Sequence, residues 1–547
     1  MAPPRDRCPR LRLGHRAVSR ARLDDRARRA SRPLALERLL PRLRGRSPGG
    51  ELIAFEEVPS ILRDLVSGPL PSPWPSGKVE RVEQDSRLIA PGSLYVAIRG
   101  GRSDGRSHIP DALSRGACAI VGEPPYDGIG TYLPVSDARK AVAILSARHF
   151  GDPSHLMQVA GFTGTNGKTT ASWLLQSVWE ACGVPAAVIG TLGIGRPGAL
   201  CSPSHTTPDA PRFQGALRSL LAEGYGAVAA EISSHALDQD RIYATRFRAV
   251  VFTNLTRDHL DYHGTEAAYL KAKSKLFHPD GRGDASPALA VVNMDDPAFA
   301  DLVRGSADTI LGYGKSEECF VQLREIETSP SGTALRVRGP EGIRVLRSPL
   351  VGLYNGWNVL CVYATALALG LPADAVERAL EASIAVPGRM ERIDRGQPFL
   401  VVVDYAHTPD ALARVLDALR PLTDGKLIAL FGCGGDRDQG KRRQMGAIAA
   451  RRADRIVLTN DNPRSEEPGE ILRAIREGVI AEGKEPDALL PDRGEAIEAA
   501  IRMAARGDTV LLAGKGHEDY QESAAGRRPF DDREMARRAL AAAGWVR

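Results

Sequence analysis

The chain has 547 residues, 43% of them hydrophobic and 26% charged, which is too long for one core and excludes fibrous and low-complexity classes. Its apolar runs, such as 399–403 and 509–513, are strand-length and fall far short of the roughly 20 residues of a membrane-spanning helix. The seven cysteines are odd in number, scattered and without a C-x-x-C pair, which excludes a disulfide framework and a zinc site; a soluble protein of the reducing cytoplasm is expected.

The net charge of +6 is a local property. Residues 1–50 hold fifteen Arg against four acidic residues, a balance of +11, so that residues 51–547 carry −5. The Arg- and Pro-rich stretch 1–54 has little apolar periodicity, lacks the apolar core of a secretory signal and forms no clear amphipathic helix. It reads as a disordered, solvated extension, with a nucleic-acid-binding tail as the sharper alternative. No nucleic-acid partner is expected of the body.

A first α/β domain is expected over 55–153, with strands at 93–98 and 118–121 and a helix at 110–115. Gly151-Asp152-Pro153 reads as a linker. A central domain over 154–386 repeats apolar strand runs that end in polar clusters: 156–162, 186–189, 226–232, 248–254 and 288–293. Strands with polar carboxyl ends predict a mostly parallel sheet with its site along one edge. From 387 the runs 399–404, 426–431, 455–459 and 509–513 alternate with helical stretches, which predicts a second, Rossmann-like α/β unit over 387–547.

The sharpest chemical signal is Gly164-Thr165-Asn166-Gly167-Lys168-Thr169-Thr170, between the strand 156–162 and a helical run from Ala171. A glycine-rich strand-to-helix turn cradles phosphate with backbone N–H groups and the helix N-terminus. Lys168 is placed to reach the terminal phosphates of ATP and Thr169 to hold Mg²⁺. The strict phosphate-loop pattern is not met, because Phe162 stands where the first glycine belongs and the glycines fall at 161, 164 and 167.

Two further clusters end the next strands: Glu231-Ile232-Ser233-Ser234-His235, and Asn254 to His263. Glu231 and His259 are candidate Mg²⁺ ligands opening toward the loop. Read singly, Glu231 also suits an ion pair and His259 a helix cap or a core histidine.

In their order and spacing, TGTNGKTT, EISSHALDQDR and NLTRDHLDYHG resemble the Mur ligase family, ATP-dependent amide-forming enzymes of peptidoglycan precursor synthesis. The resemblance runs from about residue 80 to the C-terminus. Asp85-Ser86-Arg87 with Pro91 to Ala97 resembles the family's UDP-binding first domain, and Val386 to Glu391 with Asp404 to His407 its hinge and nucleotide contacts. The resemblance implies that Thr169 and Glu231 hold one Mg²⁺ and that His259 and a carbamylated lysine hold a second. Of Lys271, Lys273 and Lys275, only Lys273 fits the family register. It also implies that Asn293 meets adenine, Asp404 the ribose and Arg389 the γ-phosphate, and that Ser86, Arg87, Thr206, Thr207, Asp209, Ser233 and Arg241 hold a UDP-muramoyl-dipeptide acceptor.

Asp461-Asn462-Pro463-Arg464 resembles the signature of the family members that add meso-diaminopimelate. Diaminopimelate differs from lysine by a carboxylate on the far carbon, which a planar guanidinium matches as a fork. Gly514 to Tyr520 resembles the second contact with that amino acid, with Glu518 taking an ammonium group; Arg437 is a further candidate for a carboxylate. The function implied is ATP-dependent amide formation through an acyl phosphate, by a monomer with Mg²⁺. A lysine-adding relative and a silent nucleotide-binding regulator are the alternatives.

Overall fold

A computed structural model describes residues 53–100, 104–125, 131–201, 205–256 and 258–546. The Arg-rich stretch therefore lies outside the described residues, apart from its last two. Ile53 and Ala54 already belong to the folded part: Ile53 is buried, its carbonyl accepts from Val79 N at 2.9 Å, and Ala54 bridges Lys78. An apolar side chain with a core to enter ends the extension two residues early.

The first sheet is parallel, in the order β1 (Arg81–Glu83), β2 (Ser93–Ala97), β3 (Ala117–Gly122), β4 (Tyr132–Pro134). The helix Ala138–His149 covers one face, packing Ala141, Val142 and Leu145 on Leu94, Val96 and Val121.

The central sheet has eleven strands: β5 (Gln158–Thr163), β6 (Ala186–Gly190), β7 (Gly193–Arg196), β8 (Ala199–Cys201), β9 (Ala227–Glu231), β10 (Ala249–Phe252), β11 (Leu289–Asn293), β12 (Thr309–Gly314), β13 (Val321–Ser329), β14 (Gly332–Gly339) and β15 (Gly342–Ser348). Parallel pairing joins β6, β9, β5, β10, β11, β12 and β13 in that spatial order. Two three-stranded meanders, β6–β7–β8 and β13–β14–β15, extend the edges in antiparallel fashion, and neither is foreseen in the sequence reading. Their alternation is weak because both faces are only partly covered. In β5 and its neighbours every residue after the first is buried, so apolar runs replace alternation. Ala160, Phe162, Ala229 and Val251 face the helices Lys168–Ala181 and Leu353–Ala368; Val159, Val228, Ala230 and Val250 face a second core on the other side.

The chain leaves β5 for β6 and β9 on one side and returns to β10 on the other. That makes the carboxyl end of β5 the switch point where a parallel sheet opens a crevice. The phosphate-loop motif lies there.

The third sheet runs β16 (Glu391–Arg392), β17 (Leu400–Asp404), β21 (Thr509–Ala513), β18 (Leu427–Phe431), β19 (Arg455–Leu458), β20 (Ala488–Leu489). All its pairs are parallel except β16 with β17. A small hairpin, β22 (Tyr520–Ser523) and β23 (Gly526–Pro529), follows the last long strand. Among the described residues no helix is long and apolar enough to cross a membrane.

Candidate active site

Glycine is needed in the loop for space and for conformation. Gly164 has φ +148°, and a Cβ there would fall 2.0 Å from Thr253 Oγ1; Gly167 has φ +85°, with Asn358 Oδ1 at 2.3 Å from the same virtual atom. The N–H groups of Thr165 and Asn166 donate to Asn254, to its carbonyl at 2.8 Å and its Oδ1 at 3.0 Å. Those two donors brace the loop. The N–H groups available to phosphate are those at the start of the helix Lys168–Ala181, which have no intrahelical acceptor. Lys168 Nζ donates to the carbonyls of Gly164 at 2.7 Å and Thr165 at 2.9 Å. Burial holds its pKa below the usual lysine value, with Arg389 adding to the effect and Glu231 and Asp258 opposing it. Thr170 is buried behind the loop.

Glu231 ends β9 and is 1% exposed. Its Oε2 accepts from Thr169 Oγ1 at 2.8 Å and from Thr191 Oγ1 at 3.2 Å, and its Oε1 from Thr191 N at 2.8 Å. Two hard oxygens this close suit Mg²⁺, which takes one or two protein ligands and fills its sphere with phosphate oxygens and water. The donor set therefore fits. Among the described residues no group of three or more His, Cys, Asp or Glu is arranged to hold a metal unaided.

Lys273 is 1% exposed; its Nζ donates to Gly164 O at 2.9 Å and lies 4.5 Å from the Tyr269 ring centre. Burial, then Lys168, holds its pKa well below the usual range. As an ammonium it repels a cation. His259 sits at φ 53°, caps the short helix Leu260–His263 and has a 47% exposed side chain, with Nε2 at 3.5 Å from Asp258 Oδ2. Its ring meets His235 at 4.9 Å, and burial pushes His235 down to about 4.

On the acceptor side, Thr207 Oγ1 donates to Glu231 O at 2.7 Å and accepts from Ser233 N at 3.0 Å, and Thr206 meets Thr191 at 3.1 Å. Arg241 donates to Thr207 O at 2.8 Å. It lines a cavity of about 280 Å³ with Gln84, Arg139, His205 and Asp209, where residues of the first and central segments meet. Asp209 caps the helix Ala210–Ala222 and pairs with Arg212. Ser86 is buried in a turn capped by Asp85, which also pairs at 2.7 Å with the 80% exposed Arg87.

Three nucleotide candidates have partners of their own. Asn293 ends β11, donates to Thr253 O at 2.9 Å and accepts from Asp295 N at 3.1 Å. Asp404, expected at the ribose, is buried, with Oδ2 accepting from Met390 N at 2.8 Å and Oδ1 from Ala406 N at 2.9 Å, so it also braces the hinge. Met390 has φ 46°, a conformation that this contact holds in place. Arg389 stacks 4.9 Å from the Tyr405 ring centre, and its Nε is buried without a hydrogen bond.

In the third sheet, Asp461 to Arg464 follow β19. Arg464, at φ 52°, donates to Gly435 O at 2.9 Å and holds Nε at 3.5 Å from Glu522 Oε2. Asn462 is buried and donates to Glu518 Oε2 at 2.8 Å; Pro463 packs its carbonyl under Gly435. Gly514, at φ +116°, has no room for a Cβ against Asp461 Oδ2 at 2.5 Å. Arg437 is exposed and reaches only its neighbour's carbonyl, Asp436 O, at 3.2 Å.

The sequence reading placed Asn254 in a strand-end cluster opening toward the loop without giving it a role of its own, and it missed Thr191 and Asn358. Asn254 and Thr191 stand just beyond strand ends, which is itself a signal; Asn358 lies on the distant helix Leu353–Ala368 and has no local one.

A phosphate loop at the switch point of one sheet, a carboxylate beside it and a second α/β unit reached through a hinge define an ATP-dependent ligase of three domains. The chain belongs to the Mur ligase family. Family models match residues 78–149 (Mur ligase family, catalytic domain), 162–366 (Mur ligase middle domain) and 388–516 (Mur ligase, glutamate ligase domain). The UDP-N-acetylmuramoyl-L-alanyl-D-glutamate–2,6-diaminopimelate ligase of Pseudomonas aeruginosa is 46% identical over 85% of this chain and 95% of its own. That of Geobacillus kaustophilus is 42% identical over 84% and 94%. A solved structure of a ligase of the same name matches with TM-score 0.68 and 33% identity over 90% of this chain and 99% of its own. A MurF structure from Acinetobacter baumannii, at 20% identity and TM-score 0.56 over 85% of this chain and 96% of its own, shares the fold.

Proposed function

We propose that the protein joins an amino group of meso-diaminopimelate to the D-glutamate side-chain carboxylate of UDP-N-acetylmuramoyl-L-alanyl-D-glutamate, splitting ATP to ADP and phosphate. The observation that carries this reading is the convergence of Thr169, Glu231, Lys168 and Lys273 on one loop, together with a separate turn in which Asn462, two residues before Arg464, donates to Glu518. The names of the relatives support the same substrates.

An oxygen of the acceptor carboxylate attacks the γ-phosphorus, the bond to the β-phosphate oxygen breaks and ADP leaves. The amine then attacks the acyl carbon, loses a proton and expels phosphate. No protein nucleophile is required, so catalysis comes from alignment and charge neutralisation. Lys168 and Arg389 bring positive charge to the γ-phosphate, and the helix N-terminus orients it. Thr169 and Glu231 would hold Mg²⁺, which neutralises charge on the phosphate oxygens. Thr206, Thr207, Ser233 and Arg241 would hold the acceptor, with Ser86 and Arg87 toward its UDP end. Arg464 and Glu518 would receive the far carboxylate and ammonium, with Asp461, Asn462, Pro463 and Gly514 shaping that pocket and Arg437 at its rim. Asn293 would meet adenine.

Carbamylation of Lys273 follows from its setting: a buried amine with a depressed pKa is the neutral nucleophile that CO₂ needs. His259 and the carbamate would serve a second Mg²⁺. We divide the chain at 153 and 386, one main sheet to each segment, and expect closure about these hinges on binding nucleotide and acceptor. The protein is proposed to act as a monomer in the cytoplasm.

Phosphate release with ATP, Mg²⁺ and the acceptor, compared across meso-diaminopimelate, L-lysine and no amino acid, tests the reading. Turnover with diaminopimelate alone is expected. Turnover with lysine overturns the specificity, and none with either amine supports a silent nucleotide-binding regulator.

A further inference from the structure

Lys515 has 0% relative exposure, yet it carries an ammonium group. Its Nζ donates to Asn462 Oδ1 at 3.1 Å and to Glu518 Oε2 at 3.1 Å, and the Tyr520 ring centre lies at 5.4 Å. Asn462 closes the triangle by donating Nδ2 to Glu518 Oε2 at 2.8 Å, while its Oδ1 also accepts from Glu522 N at 2.9 Å. A fully buried cation costs several kcal/mol of hydration unless fixed partners compensate it. Here the partners are one residue from each of two turns, 461–464 after β19 and 514–518 after β21. Lys515 thus pins the two turns to each other.

The pinning is directional. Among the described residues, every hydrogen bond to the Glu518 carboxylate falls on Oε2, which leaves Oε1 as the oxygen that can face a ligand. The triangle also ties Asn462 in place two residues before Arg464, whose own N–H donates to Glu522 O at 3.0 Å. Lys515 therefore helps to set the spacing between the acceptor for an ammonium and the donor for a carboxylate, alongside the direct Asn462–Glu518 bond and Arg493, which reaches Asn460 O and Ala513 O.

We propose that Lys515 is a positioning residue for the incoming amino acid, fixing Glu518 and the Arg464 turn at the spacing of a zwitterionic ammonium–carboxylate end. This rests on the function proposed above. It assigns to Lys515 no contact with substrate and no part in ATP chemistry.

The test is steady-state kinetics of Lys515→Met and Lys515→Gln with the three substrates varied in turn, alongside thermal melting. Loss of one of the two donors to Glu518 Oε2 and a loosened turn predict that KM for diaminopimelate rises at least about tenfold. KM for ATP and for the UDP-muramoyl dipeptide should stay within about twofold, since both bind at another sheet. A smaller cavity variant, Lys515→Ala, should regain part of its affinity for diaminopimelate with ethylammonium but not with ethanol, a readout that a purely structural role does not move. Three KM values rising together, an unchanged KM for diaminopimelate, rescue by ethanol as well as by ethylammonium, or variants that do not fold would each overturn the proposal. Wild-type protein without diaminopimelate-dependent turnover would instead reject the function on which it rests.

Discussion

The loop at the end of β5 and the paired turns at the ends of β19 and β21 both prepare a site, but by opposite means. At the first, uncharged groups do most of the holding: Asn254 takes two loop N–H groups with its carbonyl and its Oδ1, and Thr253 Oγ1 donates to Asn166 O at 2.6 Å, while Lys168 and Lys273 meet Gly164 O. At the second, charge does it, through Lys515 with Glu518 and through Arg493. The Arg493 guanidinium forks onto Asp532 at 2.6 and 2.7 Å and donates to Asn460 O at 3.1 Å and Ala513 O at 2.9 Å, at the foot of both turns. The central unit also has a buried fork, Arg282 on Asp308 at 2.6 and 2.9 Å, but it braces the segment 276–308 away from the loop. Triphosphate is the same in every ATP enzyme and suits rigid backbone donors; an amino acid with two charged ends needs side chains whose spacing can be set.

The sharpest way to test the contrast is to neutralise the carboxylate beside the loop. Glu231→Gln keeps the shape but surrenders the anion that meets Thr169, and kcat should fall by roughly 10³-fold with melting temperature little changed. Phosphate-release kinetics and melting on the same sample decide it; a variant within tenfold of wild type would show Glu231 to be a structural acceptor for Thr191 alone.

Removing Asp532 probes the other side. Asp532→Ala leaves the Arg493 cation buried without its partner, which costs about 3 to 5 kcal/mol of stability. Denaturant unfolding measures that loss. Because Arg493 anchors Asn460 and Ala513, KM for diaminopimelate should rise as well, whereas Asp308→Ala should destabilise by a similar amount without touching that KM. Equal kinetic effects from the two variants would erase the distinction between the regions.

How far each region can be read from sequence follows from the same contrast. The long strands of both main sheets are legible because double burial makes them continuous apolar runs; Glu231 stands directly at the end of one, and Lys168 and Thr169 open the helix that follows the glycine turn. The edge strands at 193–201 and 321–348 are not legible, since strands with one face half open carry no strong run. Asp404 reads as a polar residue at a strand end, where a nucleotide contact is the natural expectation. Only the fold reveals that the Met390 and Ala406 amides donate to its oxygens. Lys515 looks like one more loop lysine until its neighbour from 53 residues upstream is seen against it.

Specificity supplies a smaller effect. Arg464→Lys keeps the charge and loses the planar fork, so KM for diaminopimelate should rise by about 30-fold, near 2 kcal/mol, at unchanged kcat. L-lysine, which has no far carboxylate, should bind no worse than to wild type. If lysine and diaminopimelate lose equally, Arg464 holds the turn and does not read the substrate.

The last contrast is one of pH. His517 lies between the two regions, its ring 5.0 Å from Tyr405, which in turn carries Arg389. Burial first, then Arg389, Arg533 and Lys515, push it down to about 4 from an ordinary 6.5. The folded state therefore holds it neutral while the unfolded chain binds a proton more readily. Its contribution is fully present above pH 6.5 and is lost as pH falls toward 4. The shift sets an upper bound near 3 kcal/mol, and exchange with water at this partly exposed turn reduces it to about 1 kcal/mol. His517→Asn should flatten the stability curve between those limits by that amount, read from denaturant midpoints at a series of pH values, while leaving the slope above pH 7 unchanged. Because the cations that depress His517 include the Arg389 of the hinge, a variant at Arg389 should steepen the acid limb less than wild type; an identical limb would show that burial alone sets the value and that the hinge is electrically silent toward the amino-acid side.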